Sequence, residues 1–329
     1  MESIPDPELP DTGEYVAFEE LVARFFEDEP RTAVHVEFGA LSHPGLVREN
    51  NEDHYLVVHR RRVRDVLLSN LPAERLNQAE QEAYSLVVAD GLGGHAFGEL
   101  ASFLALRAAW DLGSNEIKWT VKMNPREADE LKQKAAVLFR LLDRALQSAA
   151  QAQPQLSGMG TTVTVCYTTG PELFVLHAGD SRAYLCRGGA LRRLTRDHTH
   201  AQAMIDAGLA EPESRAAISR RHVLTNYLGG GSVKVDVEHH RLADGDRLLL
   251  CTDGLTDLVS EMEIAALLEA HPRPEDACRA LVDRALDSGG RDNVTVVLAS
   301  YTIPEVADPA DRPARPGCRR RSVDHTEAG

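Results

Sequence analysis

A chain of 329 residues, 43% hydrophobic and 26% charged, has core-forming composition and the length for one large globular domain or two small ones. A formal net charge of -15 excludes nucleic acid as a partner, because phosphate backbones are gripped by clustered Lys and Arg. The five cysteines form no CxxC pair, there is no apolar leader, and no run is long enough to span a bilayer, which predicts reduced thiols, no membrane and a cytoplasmic location.

Residues 1–33 read as an acidic N-terminal extension with one amphipathic helix, in which Phe18, Leu21, Val22, Phe25 and Phe26 share a face. Strands are predicted at 34–40, 53–59 and 84–89, with a charged insertion at about 60–83 whose basic run, Arg60 to Arg64, reads as a solvated face. Helices follow at 98–112 and about 126–150; the second sets Leu131, Ala135, Leu138, Leu142 and Ala145 on one side. Short runs at 161–168, 172–178 and 182–187, separated by tight turns, read as an antiparallel meander. A mixed segment, about 195–231, interrupts it, and there Gly208 and Pro212 leave room for only a brief helix. Strands resume at 233–241 and 246–252, helices at 261–270 and 274–287, and a last strand at 293–302, before a Pro- and Arg-rich tail, 303–329, predicted to be disordered. Helices that come in consecutive pairs, with strands joined by tight turns, predict an α+β layered body rather than βαβ winding.

Three apolar runs each lead into a carboxylate: "SLVVADGLGGH", "LFVLHAGDSR" and "RLLLCTDGLTD". A single Asp-Gly usually just begins a turn. Taken together, Glu52, Asp53, Asp90, Asp180, Asp253 and Asp292 form an all-oxygen set drawn from distant segments, and carboxylates brought close raise one another's pKa unless a cation separates them. Oxygen donors select Mg(II) or Mn(II) over zinc, and calcium is disfavoured by the missing DxDxDG loop. The set suits a dinuclear site, whose equipment fits phosphate ester hydrolysis. No cysteine is read as sitting in a CxxxxxR phosphate loop, which sets a cysteine-based tyrosine phosphatase aside.

The ordered motifs "GLVRENNED", "VVADGLGGH", "GMGTT", "HAGDSRAYL", "LTRDH", "LTNYLGG", "DRLLLCTDGLTD" and "GRDNVTVV" make the chain resemble the metal-dependent protein phosphatases, the type 2C serine/threonine class, in its bacterial branch, over roughly residues 34–302. The resemblance implies a four-layer α-β-β-α sandwich, two stacked antiparallel sheets flanked by helix pairs, with a flap at about 195–231 beside the active-site cleft. It also implies roles: Asp90 bridging two Mg(II) or Mn(II) ions with the Gly91 carbonyl on one, Asp253 and Asp292 completing the other, Glu52 and Asp53 holding metal-bound water, and Asp180 with Asp253 making a third, weaker position. Arg48 would pair with the substrate phosphate through its guanidinium fork. Asn293 would orient Asp292 or a coordinated water, and His95 would protonate the leaving alkoxide or else shape its loop. His198 reads as structural. The implied partners are phosphoprotein substrates and a serine/threonine kinase.

Two other readings stand beside this one. A catalytically silent metal-binding scaffold would lose one of Asp90, Asp253 or Asp292, and all three are present. A dinuclear phosphodiesterase would use the same ions on a diester.

Overall fold

Eleven strands make two antiparallel sheets in the computed structural model, which describes residues 34–62, 67–68, 81–93, 96–116 and 125–304. The strands are β1 (His35–His43), β2 (Asp53–Arg62), β3 (Gln81–Leu92), β4 (Gly160–Thr161), β5 (Val163–Thr169), β6 (Glu172–Ala178), β7 (Arg182–Arg187), β8 (Ala190–Arg193), β9 (Asp236–Arg241), β10 (Arg247–Cys251) and β11 (Val294–Thr302). One sheet runs β1-β11-β10-β7-β8, the other β2-β3-β5-β6-β9, with β4 paired to the end of β3.

Helices α1 (Ala96–Glu116) and α2 (Pro125–Ala152) cover the second sheet; α6 (Glu261–Ala270) and α7 (Pro274–Asp287) cover the first. Between them come the short helices α3 (His200–Asp206), α4 (Arg215–Ile218) and α5 (Asp253–Thr256).

Alternation along single strands builds three apolar layers. On β3, Val87 and Ala89 face α1 and α2 while Leu86 and Val88 face the other sheet. On β11, Val294, Val296 and Leu298 meet the second helix pair while Val297, Ala299 and Tyr301 point between the sheets. These strands are buried on both faces, so they read as continuous apolar runs rather than alternating ones. The result is the four-layer α-β-β-α sandwich that the sequence predicts.

Some boundaries differ. The predicted insertion at about 60–83 begins and ends as an extension of the β2–β3 hairpin, with Arg60 opposite Ala83, Arg61 opposite Glu82 and Arg62 opposite Gln81, and Arg61 Nε lies 3.0 Å from Glu82 Oε1. The predicted strand at 161–168 is two strands broken at Thr162. The extension 1–33, with the helix expected there, and the tail from 305 onward lie outside the described residues. Among the described residues no helix is long and apolar enough to cross a membrane.

Candidate metal centre

The β2–β3 register sets Asp53 directly opposite Asp90. Asp53 is 5% exposed; its Oδ2 accepts a hydrogen bond from Thr252 Oγ1 at 2.8 Å, while its buried Oδ1 has no partner. Burial pushes this carboxyl up to about 7, the nearby Thr295 and Thr252 hydroxyls oppose the rise, and Asp253 and Asp292 add to it. Asp90 is raised well above the carboxylate range, first by burial of its carboxyl, then by Asp53, Asp253, Asp180 and Asp292. Asp180, 8% exposed, is raised likewise by burial, Asp253 and Asp197. Five aspartates from five segments therefore act on one another in one place.

A buried carboxylate need not be left so. Asp246, fully buried, takes two hydrogen bonds from Arg187, at 2.8 and 2.7 Å, and one from the Ala243 N–H at 2.8 Å. Among the described residues Arg48 reaches only Asp292 at the rim and no guanidinium is bonded to Asp53 or Asp90, whose orphaned Asp53 Oδ1 and all-oxygen surroundings fit hard divalent ions such as Mg(II) or Mn(II).

Close backbone approaches deliver these groups. A Cβ on Gly91 would lie 2.1 Å from the Gly98 carbonyl oxygen, and one on Gly98 would lie 2.2 Å from Glu52 Oε2, so the start of α1 seats directly on the β3 end and on Glu52. Ser102 on α1 donates to the Glu52 carbonyl at 2.6 Å. The Asp90 carbonyl accepts from the Thr162 N–H at 2.9 Å and Thr161 Oγ1 at 2.8 Å. Asp253 opens α5 two residues beyond β10, and Asp292 precedes β11. Arg48, about half-exposed, sets NH2 on Asp292 Oδ2 at 2.7 Å.

The segment 195–231 reaches the cluster's edge. His222 lies with Nδ1 3.6 Å from Asp253 Oδ2 and Nε2 3.5 Å from Asp257 Oδ2, and Arg221 NH2 lies 3.5 Å from the same Asp257 oxygen. These His222, Asp253 and Asp257 ligand atoms fall within 4.8 Å of one another.

The protein phosphatase 2C family model matches residues 74–288. The serine/threonine protein phosphatase PstP of Mycobacterium tuberculosis is 35% identical over 82% of this chain. The chain belongs to the protein phosphatase 2C family. It spans about half of that relative's length, 46%, whereas it covers 84% of the 30%-identical serine/threonine phosphatase stp of Listeria monocytogenes. Among solved structures, the catalytic domain of PstP in complex with two manganese ions is 33% identical with a TM-score of 0.64, covering 82% of this chain and all of that one. A serine/threonine phosphatase from S. agalactiae is 27% identical with a TM-score of 0.66, over 80% and 99% of the two chains.

For this 2C-family chain the structure brings Glu52, Asp53, Asp90, Gly91, Asp180, Asp253, Asp292, Arg48 and Asn293 to one end of the sandwich. Asp90 does not end its strand: β3 continues through Gly91 to Leu92, because β4 pairs there. Asn293 does not spend its side chain on Asp292. Its Nδ2 donates to the Pro44 and Asn50 carbonyls at 2.9 and 2.8 Å, its Oδ1 accepts from the Glu52 N–H at 2.8 Å, and only its backbone N–H meets Asp292 Oδ1, at 2.9 Å. His95 lies outside the described residues. His198 accepts the Gly179 N–H on Nδ1 at 3.1 Å and so presents Nε2–H to Asp236 at 2.9 Å, tying the segment 195–231 to the turn before Asp180.

The bare spacing CxxxxxR occurs at Cys186–Arg192 and Cys278–Arg284. Neither is a phosphate loop. The first runs from β7 into β8 and the second lies within α7, and burial raises both thiols, Cys278 to about 12. The sequence reading also passed over Thr252, Ser102 and His222. "GMGTT" and "CTDGL" held the signals for Thr161, Thr162 and Thr252, but nothing local marks Ser102 or His222.

Proposed function

We propose that this chain is a metal-dependent serine/threonine protein phosphatase, hydrolysing phosphoserine and phosphothreonine esters in proteins with two Mg(II) or Mn(II) ions. The observation that carries this reading is the orphaned, buried Asp53 Oδ1 within five mutually repelling aspartates. Asp90 with the Gly91 carbonyl, Asp253 and Asp292 would hold the pair, Glu52 and Asp53 the coordinated waters, and Asp180 with Asp253 a third ion. What such a pair supplies when bound is a more acidic water and a counter-charge for phosphoryl oxygens.

The chain's own residues do the rest. Arg48, held at the rim by Asp292, would offer its guanidinium fork to the substrate phosphate. Asn293 fixes the 44–52 loop that carries Arg48 and Glu52. Thr252 keeps Asp53 aimed through Oδ2. The named relatives are serine/threonine phosphatases, which supports a phosphoprotein substrate; an opposing serine/threonine kinase and a cytoplasmic setting belong to the same proposal. Phosphate release from a phosphothreonine peptide, measured with Mn(II) and after EDTA, tests the reading. Turnover that persists in EDTA, or that falls on diesters and not on the peptide, would overturn it.

A further inference from the structure

Helix α2 carries a carboxylate on its buried stripe. Asp143 is 4% exposed and sits among Phe139, Leu142 and Leu146, each 1% exposed. Such a group is costly to bury unless its oxygens are bonded. Its Oδ1 accepts the N–H groups of Gly229 and Gly231, at 2.7 and 3.3 Å, and its Oδ2 accepts Gln147 Nε2 at 2.9 Å. Both glycines have positive φ, 99° and 91°, so alternate amides converge on one oxygen as a backbone nest. Gly229 is closed to any side chain, since a Cβ there would meet the Met159 carbonyl oxygen at 2.5 Å.

The nest lies at the C-terminal root of the segment 195–231, next to Leu228, which bridges to Thr161. Leu228, fully buried, exchanges both backbone hydrogen bonds with Thr161, at 3.0 and 2.9 Å. Thr161 pairs in register with Gly91, and its Oγ1 donates to the Asp90 carbonyl. A continuous path thus runs from Asp143 through the glycine nest, Leu228 and Thr161 to the main chain of Asp90 and Gly91.

We propose that Asp143 is a positioning residue for the metal centre: it anchors the root of the 195–231 segment and, through Leu228 and Thr161, holds Asp90 and Gly91 in place. This rests on the reading of Asp90 as a metal ligand. Among the described residues Asp143 contacts no candidate ligand itself; it acts through the backbone of Gly229, Leu228 and Thr161 and the Thr161 hydroxyl.

The test is calorimetric titration of the metal-free full chain with Mn(II), paired with the rate of tryptic cleavage after Arg215, Arg220 and Arg221. Asp143→Ala should weaken Mn(II) binding by about tenfold or more, as outer-shell changes do, and speed cleavage by a similar factor. Its kcat on an aryl phosphate should fall with KM within about twofold. Asp143→Asn keeps an oxygen acceptor for both glycines and should stay within about threefold of the parent in all readouts. Should the alanine variant not fold by circular dichroism, Asp143→Ser replaces it, since its hydroxyl is too short to reach both amides. Parent-like Mn(II) affinity and cleavage in the alanine or serine variant would overturn the proposal. So would an asparagine variant as defective as alanine, because charge rather than amide anchoring would then be at work. A parent that binds no Mn(II) would instead sink the metal reading, with the cleavage rates still reporting on the anchor.

Discussion

Asp53 and Asp90 face each other across the β2–β3 ladder, one with a buried oxygen that nothing satisfies and both with carboxyls pushed up by burial. In the metal-free protein this pair is a site of stored repulsion. Asp90→Asn removes a carboxyl whose ionisation burial and its acidic neighbours oppose. Its melting temperature in EDTA should exceed the parent's by about 2–4 °C, the shift that roughly 1 kcal/mol gives a chain of this size. Its Mn(II)-dependent hydrolysis should fall by more than the about 10–100-fold typical of outer-shell changes. Lowered stability in EDTA with activity kept would contradict both expectations.

Metal binding should depend on pH. The folded Asp53 carboxyl is raised from 3.8 to about 7, so in the metal-free protein its contribution to stability is fully present below 3.8 and is lost as pH rises through about 7; Asp90 and Asp180 are shifted in the same direction. Ligands must lose their protons to bind a cation. Mn(II) affinity, read from the electron paramagnetic resonance signal of the free ion, should therefore climb between about pH 5 and about pH 7 as Asp53 loses its proton. Affinity level across that window would contradict the burial argument.

Arg48→Ala should raise KM for a phosphopeptide by about tenfold or more, the scale of about 1.5–3 kcal/mol for a charge-assisted hydrogen bond. Its melting temperature should hardly move, because the Arg48 side chain is 55% exposed. Arg48→Lys should recover only part of the loss, since an ammonium cannot grip two oxygens in a fork.

Asn293→Ala should behave in the opposite way. Asn293 is 6% exposed and its side chain closes three backbone hydrogen bonds of the 44–52 loop. Its loss should destabilise the protein by about 2–4 kcal/mol in denaturant titration and weaken Mn(II) binding as the loop loosens. Unchanged stability would show that loop to be held by other means.

How far the sequence revealed this molecule follows from range. The strands were legible because β-branched and leucine runs persist wherever both faces are buried, as in β10 and β11. β8 escaped because its four residues, Ala190 to Arg193, alternate half-buried and exposed positions and include two arginines. α5 escaped because "DGLT" is a poor helix former, placed by its packing: a Cβ on Gly254 would meet the Asn293 carbonyl oxygen at 1.9 Å. Asp90, Asp180 and Asp253 announced themselves by type, one carboxylate after each of three apolar runs, whereas Asp53 opens β2 and Asp292 stands before β11. Their supports did not. Ser102, Thr161 and Asp143 act through backbone groups of segments 50 to 88 residues away, and no local pattern encodes such a contact.

The central claim is that Asp53, Asp90, Asp180, Asp253 and Asp292 gather around paired divalent ions. Anomalous diffraction at the manganese edge, from crystals of the full chain grown with Mn(II), tests it directly. The account predicts two adjacent peaks flanking Asp90, within bonding reach of Asp253 and Asp292; density with no peak beside Asp90 would contradict it.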